Sequence, residues 1–162
     1  MGKTYTYKQI DELANAFGAY LQKNLALKAG DRIAIMMPNL LQYPVVLFGA
    51  MRAGLIIVNT NPLYTPREME HQFNDAGVKA IVILENFATN LQEIVHNTNI
   101  KHIILTGIGD MLGFPKKMIV NFAVRHIKKM VPAYKLPNVI RFNDTLRAGG
   151  QLKVNKYKAK SN

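Results

Sequence analysis

The sequence has 162 residues, a length that fits one domain with a substantial core and excludes two large domains. It is 49% hydrophobic and 19% charged, a composition typical of a globular protein rather than a disordered one. There is no cysteine, which excludes disulfides, thiolate metal sites and cysteine nucleophiles and suits a reducing cytosol.

The net charge of +11 lies in the last third of the sequence. Residues 1–100 hold eight Lys or Arg and eight Asp or Glu, whereas residues 101–162 hold thirteen basic residues and only two acidic ones. This asymmetry indicates an anionic partner, such as a membrane surface, a nucleic acid or an acidic ligand. The opening residues lack the basic and then apolar pattern of a secretory signal.

The first hundred residues alternate helical and strand patterns. Residues 6–25 carry apolar side chains at helical spacing and predict an amphipathic helix, and "RIAIMM" at 32–37 predicts a short buried strand. Further strands are predicted at 80–84 and 102–106, with a helix over 86–97 between them. Strands that are apolar throughout and separated by helices predict a parallel sheet covered on both faces.

The apolar stretch at residues 40–58 is the one candidate for a membrane span. Pro44 and Arg52 lie within it, and both residues disfavour a single apolar span. We predict instead a helix capped by Asn39, with its first turns disturbed by Pro44, and a second buried strand over 55–58.

The stretch "NPLYTPREMEHQFNDAG", residues 61–77, predicts a helix with explicit start and stop signals. Thr65 suits the N-cap, Pro66 the first helical position, and Glu68 completes a capping box, while Gly77 ends the helix. The side chains expected on its outer side are Arg67, Glu70, His71 and Asn74. One histidine with scattered carboxylates lacks the convergent ligands of a metal or acid/base site, so we predict a solvated face.

The regular alternation stops after Thr106. The elements predicted there are a loop (107–115), a basic helix (116–131), an extended segment (132–144) and a frayed basic tail (153–162). The corresponding divisions are an α/β subdomain at 1–110, a basic helix and extended segment of the same domain at 111–150, and a disordered tail at 151–162.

The predicted basic helix places a polar arc opposite a wide apolar one. Lys117, Arg125, Lys128 and Lys129 share an arc of about 120° with Asn121 and are the candidate membrane-facing residues. A basic face opposite an apolar face suits a helix lying in an anionic membrane interface. A helix packed on protein with a solvated basic face explains the pattern equally well. Nucleic acid is not expected, because no stacking aromatics are interleaved with the basic residues.

The glycines at 107, 109 and 113 partly match a dinucleotide-binding loop. The third glycine is one residue late, and no acidic residue follows at the expected distance, so an ordinary loop is the better interpretation. The sequence contains no P-loop, nucleophile elbow, HExxH or paired histidine ligands. We therefore predict no catalytic, cofactor-binding or metal-ligating residue in this chain.

Three stretches, residues 4–22, 27–77 and 102–142, together carry a family resemblance. The wording "NPLYTPRE", in phase with "MRAG" and "VN", is highly specific. These stretches resemble the N-terminal lobe of bacterial long-chain fatty acyl-CoA synthetases, members of the adenylate-forming, AMP-binding superfamily. The resemblance extends to about Gly150 and implies a flavodoxin-like, parallel α/β half-domain.

The resemblance implies an enzyme that uses ATP, Mg²⁺ and coenzyme A to activate a long-chain fatty acid. The family's phosphate loop, its adenine and magnesium motifs and its C-terminal lysine domain all lie downstream of the residues matched here. We therefore expect these 162 residues alone to be inactive, to bind none of the three tightly, and to need the missing C-terminal part as a partner. The expected location is cytoplasmic, peripheral on the inner face of the membrane.

Two other hypotheses remain open from the sequence. The chain could be a non-enzymatic α/β module that binds an anionic membrane or a protein, and such a module should be monodisperse. A fragment, by contrast, should expose a sheet edge and apolar patches and aggregate. A dinucleotide-binding domain is the third hypothesis, and it requires the loop at 107–113 to hold a pyrophosphate.

Overall fold

In the computed structural model, which describes residues 3–158, five parallel strands form a sheet in the order β2-β1-β3-β4-β5. The strands are β1 (Arg32–Met36), β2 (Ile56–Asn59), β3 (Val78–Leu84), β4 (His102–Thr106) and β5 (Val139–Arg141). The helices are α1 (Tyr7–Lys23), α2 (Gln42–Arg52), α3 (Pro66–Ala76), α4 (Ala88–Ile94), α5 (Lys116–Phe122) and α6 (Phe142–Gly149). This strand order is flavodoxin-like, so the predicted parallel α/β class is confirmed.

The sheet separates two apolar layers. In β1, Ile33 and Ile35 point into the layer that includes α1, α2 and α6, whereas Ala34 and Met36 point into the layer under α3 and α4. These four side chains are fully buried. Helices therefore cover both faces of the sheet, which explains why its central strands carry runs of consecutive apolar residues rather than alternating ones.

Helix α2 corrects one sequence expectation and replaces the rejected membrane span. The predicted cap at Asn39 is wrong, because the helix begins at Gln42 after Leu41 and has no side-chain cap. Pro44 is the third helical residue, where the missing N–H would have no intrahelical partner, so it does not disturb the helix. Among the helices of residues 3–158, none is long and apolar enough to cross a membrane.

Helix α3 begins and ends where its sequence signals predict. Thr65 Oγ1 accepts a hydrogen bond from the Glu68 amide at 3.2 Å, and the Thr65 amide donates to Glu68 Oε2 at 2.8 Å. Gly77 ends the helix in the left-handed region, with φ of 64°. The capping box is confirmed, and Glu68 serves the backbone rather than a reaction.

Thr65→Ala is expected to lower the free energy of unfolding by about 1 kcal/mol, because it leaves a first-turn amide without its acceptor. Urea unfolding followed by circular dichroism measures the loss. Thr4→Ala, at an exposed threonine outside the helices, serves as the control and should change stability by less than about 0.5 kcal/mol. Equal losses in the two variants would contradict the capping role.

The segment after β4 departs most from the sequence prediction. Helix α5 is followed by a π-helical turn at Ala123–Ile127, so the predicted helix over 116–131 ends four residues early. The predicted extended segment 132–144 contains β5, but its last three residues begin α6, which was not predicted. Strand β5 has three residues and α6 has eight, and elements this short cannot be identified from hydrophobic periodicity.

Residues 153–158 also differ from the predicted frayed tail. The Asn155 backbone exchanges two hydrogen bonds with the Gln22 side chain, each 2.8 Å, and the Tyr157 amide donates to the Arg52 carbonyl at 2.7 Å. These bonds tie the segment to α1 and α2, and they join residues far apart in sequence. The rest of the predicted tail, 159–162, lies outside the described residues.

Candidate functional site at the carboxyl edge of the sheet

Polar and charged side chains gather where β3, β4 and β5 end, beneath α5. A cavity of about 190 Å³ lies between this edge and the helix. Its lining includes Glu85, Gly107, Asn121, Phe122, Arg125 and Arg141. Parallel α/β sheets bind their ligands outside the carboxyl ends of the strands, so this edge is the place to look for a functional site.

A buried carboxylate directly after β3 holds two arginines. The Glu85 side chain is 6% exposed, and its Oε1 pairs with Arg125 while its Oε2 lies 2.7 Å from Arg141 Nη1. Burial alone would lower the pKa of Arg141, but the hydrogen bond and charge of Glu85 outweigh it and raise that pKa. We call Glu85, Arg125 and Arg141 the Glu85 cluster. It fastens the π-helical turn after α5 and the strand β5 to the end of β3.

A second carboxylate organises the loop after β4. Asp110 Oδ2 accepts hydrogen bonds from the Gly107 amide at 2.8 Å and from Thr106 Oγ1 at 3.1 Å. Its Oδ1 accepts from Asn121 Nδ2 at 2.9 Å, and Asn121 Oδ1 accepts from the Gly109 amide at 2.7 Å. The loop amides that a pyrophosphate would need are therefore occupied by side chains of this chain. Because the Gly107 and Gly109 amides are already bonded, this loop does not support the dinucleotide-binding hypothesis.

Gln42 connects this loop to α2. It is 1% exposed, and its Nε2 donates to Thr106 Oγ1 at 2.9 Å and to the Gly107 carbonyl at 2.8 Å. Sequence reasoning assigned no role to Gln42, Glu85 or Asp110. A polar residue within an apolar run, and acidic residues just after buried strands, were signals that could have marked them, because such groups need partners when buried.

The four basic residues proposed to face a membrane do not share one exposed face. Lys117 is half-buried on the protein side of α5, and Arg125 is paired with Glu85. Lys128 and Lys129 are exposed, but they follow the π-helical turn, and Lys129 has a φ of 50°. The structure therefore separates these residues into two groups with different surroundings.

The apolar arc of α5 faces outward. Six large apolar side chains between residues 114 and 130 are 47–83% exposed. We call this set the apolar strip, and its members are Phe114, Met118, Ile119, Phe122, Ile127 and Met130. Part of the apolar arc nevertheless packs on the protein, since Val124 is buried and Val120 and Ala123 are half-buried, while Asn121 and Arg125 bond to the sheet edge.

Of the residues expected on the outer side of α3, Arg67 and His71 lie there, whereas Glu70 accepts from the Asn97 side chain at 3.3 Å and Asn74 donates to the Asn97 carbonyl at 3.1 Å. A shallow groove on this side is lined by Tyr64, Arg67, Glu68, His71, Gln72 and Asp75. Within residues 3–158, no group of three or more His, Cys, Asp or Glu side chains is placed to hold a metal ion. The groove offers a surface of mixed charge and no convergent ligand set.

Residues 1–145 match the sequence model of the AMP-binding enzyme family. The chain therefore belongs to the AMP-binding enzymes. Over 149 residues, 92% of this chain, it is 55% identical to the long-chain-fatty-acid–CoA ligase of Haemophilus influenzae and 56% identical to that of Escherichia coli O6:H1. Those matches cover 26% and 27% of the two ligases, so the chain spans about a quarter of the length of the curated relatives it matches.

Solved structures share the fold at low sequence identity. A long-chain-fatty-acid–CoA ligase from Archaeoglobus fulgidus superposes with a TM-score of 0.70 at 14% identity, over 97% of this chain and 26% of that one. The anthranilate–CoA ligase AuaEII, in complex with anthranoyl-AMP, also gives a TM-score of 0.70, at 19% identity over 98% of this chain and 25% of that one. The expected adenylate-forming fold is confirmed.

Proposed function

We propose that this chain serves as the N-terminal part of a ligase that activates long-chain fatty acids with ATP and Mg²⁺ and transfers the acyl group to coenzyme A. The observation that carries the proposal is the 55–56% identity to bacterial long-chain-fatty-acid–CoA ligases over 92% of the chain. The alternative of a non-enzymatic module has less support, because the relatives matched over this length are ligases.

The described residues do not fit a nucleotide phosphate at the sheet edge. The amides of Gly107 and Gly109 are bonded to Asp110 and Asn121, and a carboxylate at that position would repel an anion. The 162 residues also lack a Gly/Thr-rich stretch ending in Lys-Gly. We infer that this segment is a scaffold, and that residues elsewhere in the ligase hold ATP, Mg²⁺ and coenzyme A.

The isolated 162-residue polypeptide is expected to show no fatty-acid-dependent exchange of pyrophosphate into ATP. Adenylation needs groups that stabilise charge developing on the α-phosphate, and the two arginines at the described edge are already paired with Glu85. The assay uses a long-chain fatty acid and Mg²⁺, with a full-length ligase as the positive control. Exchange above the level without enzyme would overturn the scaffold role.

A chimera tests the ligase assignment itself. Residues 1–149 of this chain replace the matching segment of the Haemophilus influenzae ligase, and acyl-CoA formation from a long-chain fatty acid is measured. We expect activity within about tenfold of the parent, because exchanges that preserve the packing pattern of a core are tolerated. A soluble, folded chimera without activity would contradict the proposal.

We also propose that the ligase works in the cytoplasm, peripheral on the inner face of the membrane. The support is the charge distribution, since residues 101–162 hold thirteen basic side chains against two acidic ones. Anionic lipids of the cytoplasmic leaflet attract such segments. Fractionation of cells that make the full-length ligase tests this location: recovery in the soluble fraction at low salt would contradict it.

A further inference from the structure

The apolar strip is a large exposed apolar surface formed by α5 and the residues on either side of it. Met118, Ile119 and Phe122 lie within an arc of about 100° on α5, and each is about 60% exposed. Ile127 and Met130 continue the strip beyond the π-helical turn, at 70% and 47% exposure. Soluble surfaces rarely expose so many neighbouring large apolar side chains without a partner.

The fold itself imposes this outward orientation. The Asn121 side chain bonds to Asp110 and to the Gly109 amide, and Arg125 pairs with Glu85. These contacts hold Asn121 and Arg125 against the sheet edge. Val124 is buried, whereas the side chains of the apolar strip stay exposed.

We propose that the apolar strip inserts into the interface of an anionic lipid membrane, with Lys116, Lys128 and Lys129 binding lipid phosphates at its rim. The proposal rests on the peripheral location proposed above and names the surface responsible for it. Apolar side chains enter the boundary between headgroups and acyl chains, while lysine stems reach back to the phosphate layer. Arg125 takes no part, because Glu85 holds it.

Charge complementarity favours lipid as the occupant. Residues 111–143 contain seven Lys or Arg and no Asp or Glu, so the surroundings of the strip are uniformly basic. The three rim lysines are exposed. A second copy of this chain would bring like charges together, whereas an anionic bilayer offers both an apolar layer and negative charge. The strip and its rim match that combination.

The chain contains no tryptophan, so the fluorescence of one introduced tryptophan reports membrane insertion at its position. Ile119→Trp places a reporter in the strip, and Leu63→Trp places one at an exposed apolar position outside it. With vesicles of phosphatidylcholine and about one-third phosphatidylglycerol, the emission at position 119 should shift to the blue and be quenched by brominated lipid. The emission at position 63 should stay unchanged. Equal responses, or no quenching at 119, would overturn the insertion.

Matched double variants separate the strip from general hydrophobicity. Met118→Ser with Ile119→Ser should weaken co-sedimentation with the anionic vesicles about tenfold, since two large apolar side chains no longer leave water. Met51→Ser with Leu63→Ser removes comparable exposed side chains elsewhere and should change binding less than about twofold. All four positions are at least half exposed, and circular dichroism confirms folding. Equal losses would overturn the proposal.

Charge variants test the rim. Lys128→Gln with Lys129→Gln should weaken binding by about tenfold or more, because each lysine near an anionic surface contributes about a factor of five. Lys153→Gln with Lys156→Gln lowers the net charge equally, at exposed residues of the final segment, and should have a smaller effect. Equal effects, or equal binding to pure phosphatidylcholine, would overturn the rim contacts.

Failure of the membrane-insertion proposal can be distinguished from failure of the ligase proposal by measuring vesicle binding and activity on the same chimera. The chimera carrying the Met118 and Ile119 substitutions should lose vesicle binding and still activate fatty acid supplied in detergent. An inactive parent chimera that binds vesicles normally would overturn the ligase assignment alone. A strip variant that lowers the oligomeric state, without changing vesicle binding, would show that a second copy covers the strip and would overturn the lipid proposal. Loss of folding or activity of the chimera with unchanged vesicle binding would show that the rest of the ligase covers the strip and would also overturn it.

Discussion

Glu85→Ala is expected to lower the free energy of unfolding by about 2–3 kcal/mol. Removing one member of a buried ion pair costs about 3–5 kcal/mol, because the other charge is left without its partner. The cost is reduced here since the Arg125 and Arg141 side chains are 45% and 43% exposed, and water can solvate them. The substitution also releases the π-helical turn after α5 and the strand β5 from β3.

The arginine variants provide the control for this result. Arg125→Ala or Arg141→Ala alone should cost about 1 kcal/mol, because Glu85 keeps one partner in each case. The double arginine variant should approach the effect of Glu85→Ala, since it leaves the buried carboxylate alone. Urea unfolding measures all four proteins. A Glu85→Ala loss no larger than that of a single arginine variant would show that the cluster does not anchor this region.

Gly149→Ala is expected to be the most damaging single methyl addition in α6. A Cβ at this position would overlap the carbonyl oxygen of Ala16 in α1 and lie 3.2 Å from the Tyr20 Cβ. A backbone atom cannot rotate away as a side chain can, so α6 must move off α1. Overpacking of this kind costs about 3 kcal/mol or more.

Thermal and urea unfolding of Gly149→Ala provide the measurement. Ala148→Ser, at an exposed neighbouring position of the same helix, is the control and should change stability by less than about 0.5 kcal/mol. If Gly149→Ala were as stable as the parent, the close approach of α6 to α1 would be wrong. Loss of the contact should also weaken the packing of Phe142 on Phe17, whose ring centroids are 5.8 Å apart.

Most elements of the first hundred residues followed from their residue pattern, although β2 was predicted to be buried and is an edge strand exposed at both ends. Helix α3 is the clearest case, because Thr65, Glu68 and Gly77 act through bonds and backbone angles within one short stretch. The strands β1, β3 and β4 were recognisable because burial on both faces favours runs of consecutive apolar residues. Signals of these two kinds are local, so they can be read without knowing which elements become neighbours.

The last third could not be predicted in the same way. Strand β5 exists because it pairs with β4, and α6 because Phe142 and Gly149 fit against α1. The segment 153–158 is held by the side chain of Gln22 and the backbone of Arg52. Each of these stabilising contacts joins residues distant in sequence, and a short segment shows no periodicity that reveals such a partner.

For the basic helix, the sequence predicted the secondary structure, but only the tertiary structure decided its orientation on the protein. The sequence determined that this segment is helical, basic and amphipathic, because side-chain spacing alone defines the two arcs of a helix. It did not determine which arc faces the protein. That choice depended on Asp110 and Glu85, whose carboxylates lie at the ends of different strands and draw Asn121 and Arg125 inward. Buried carboxylates require partners, so Asn121 and Arg125 pack inward, while Lys128, Lys129 and the apolar strip remain exposed.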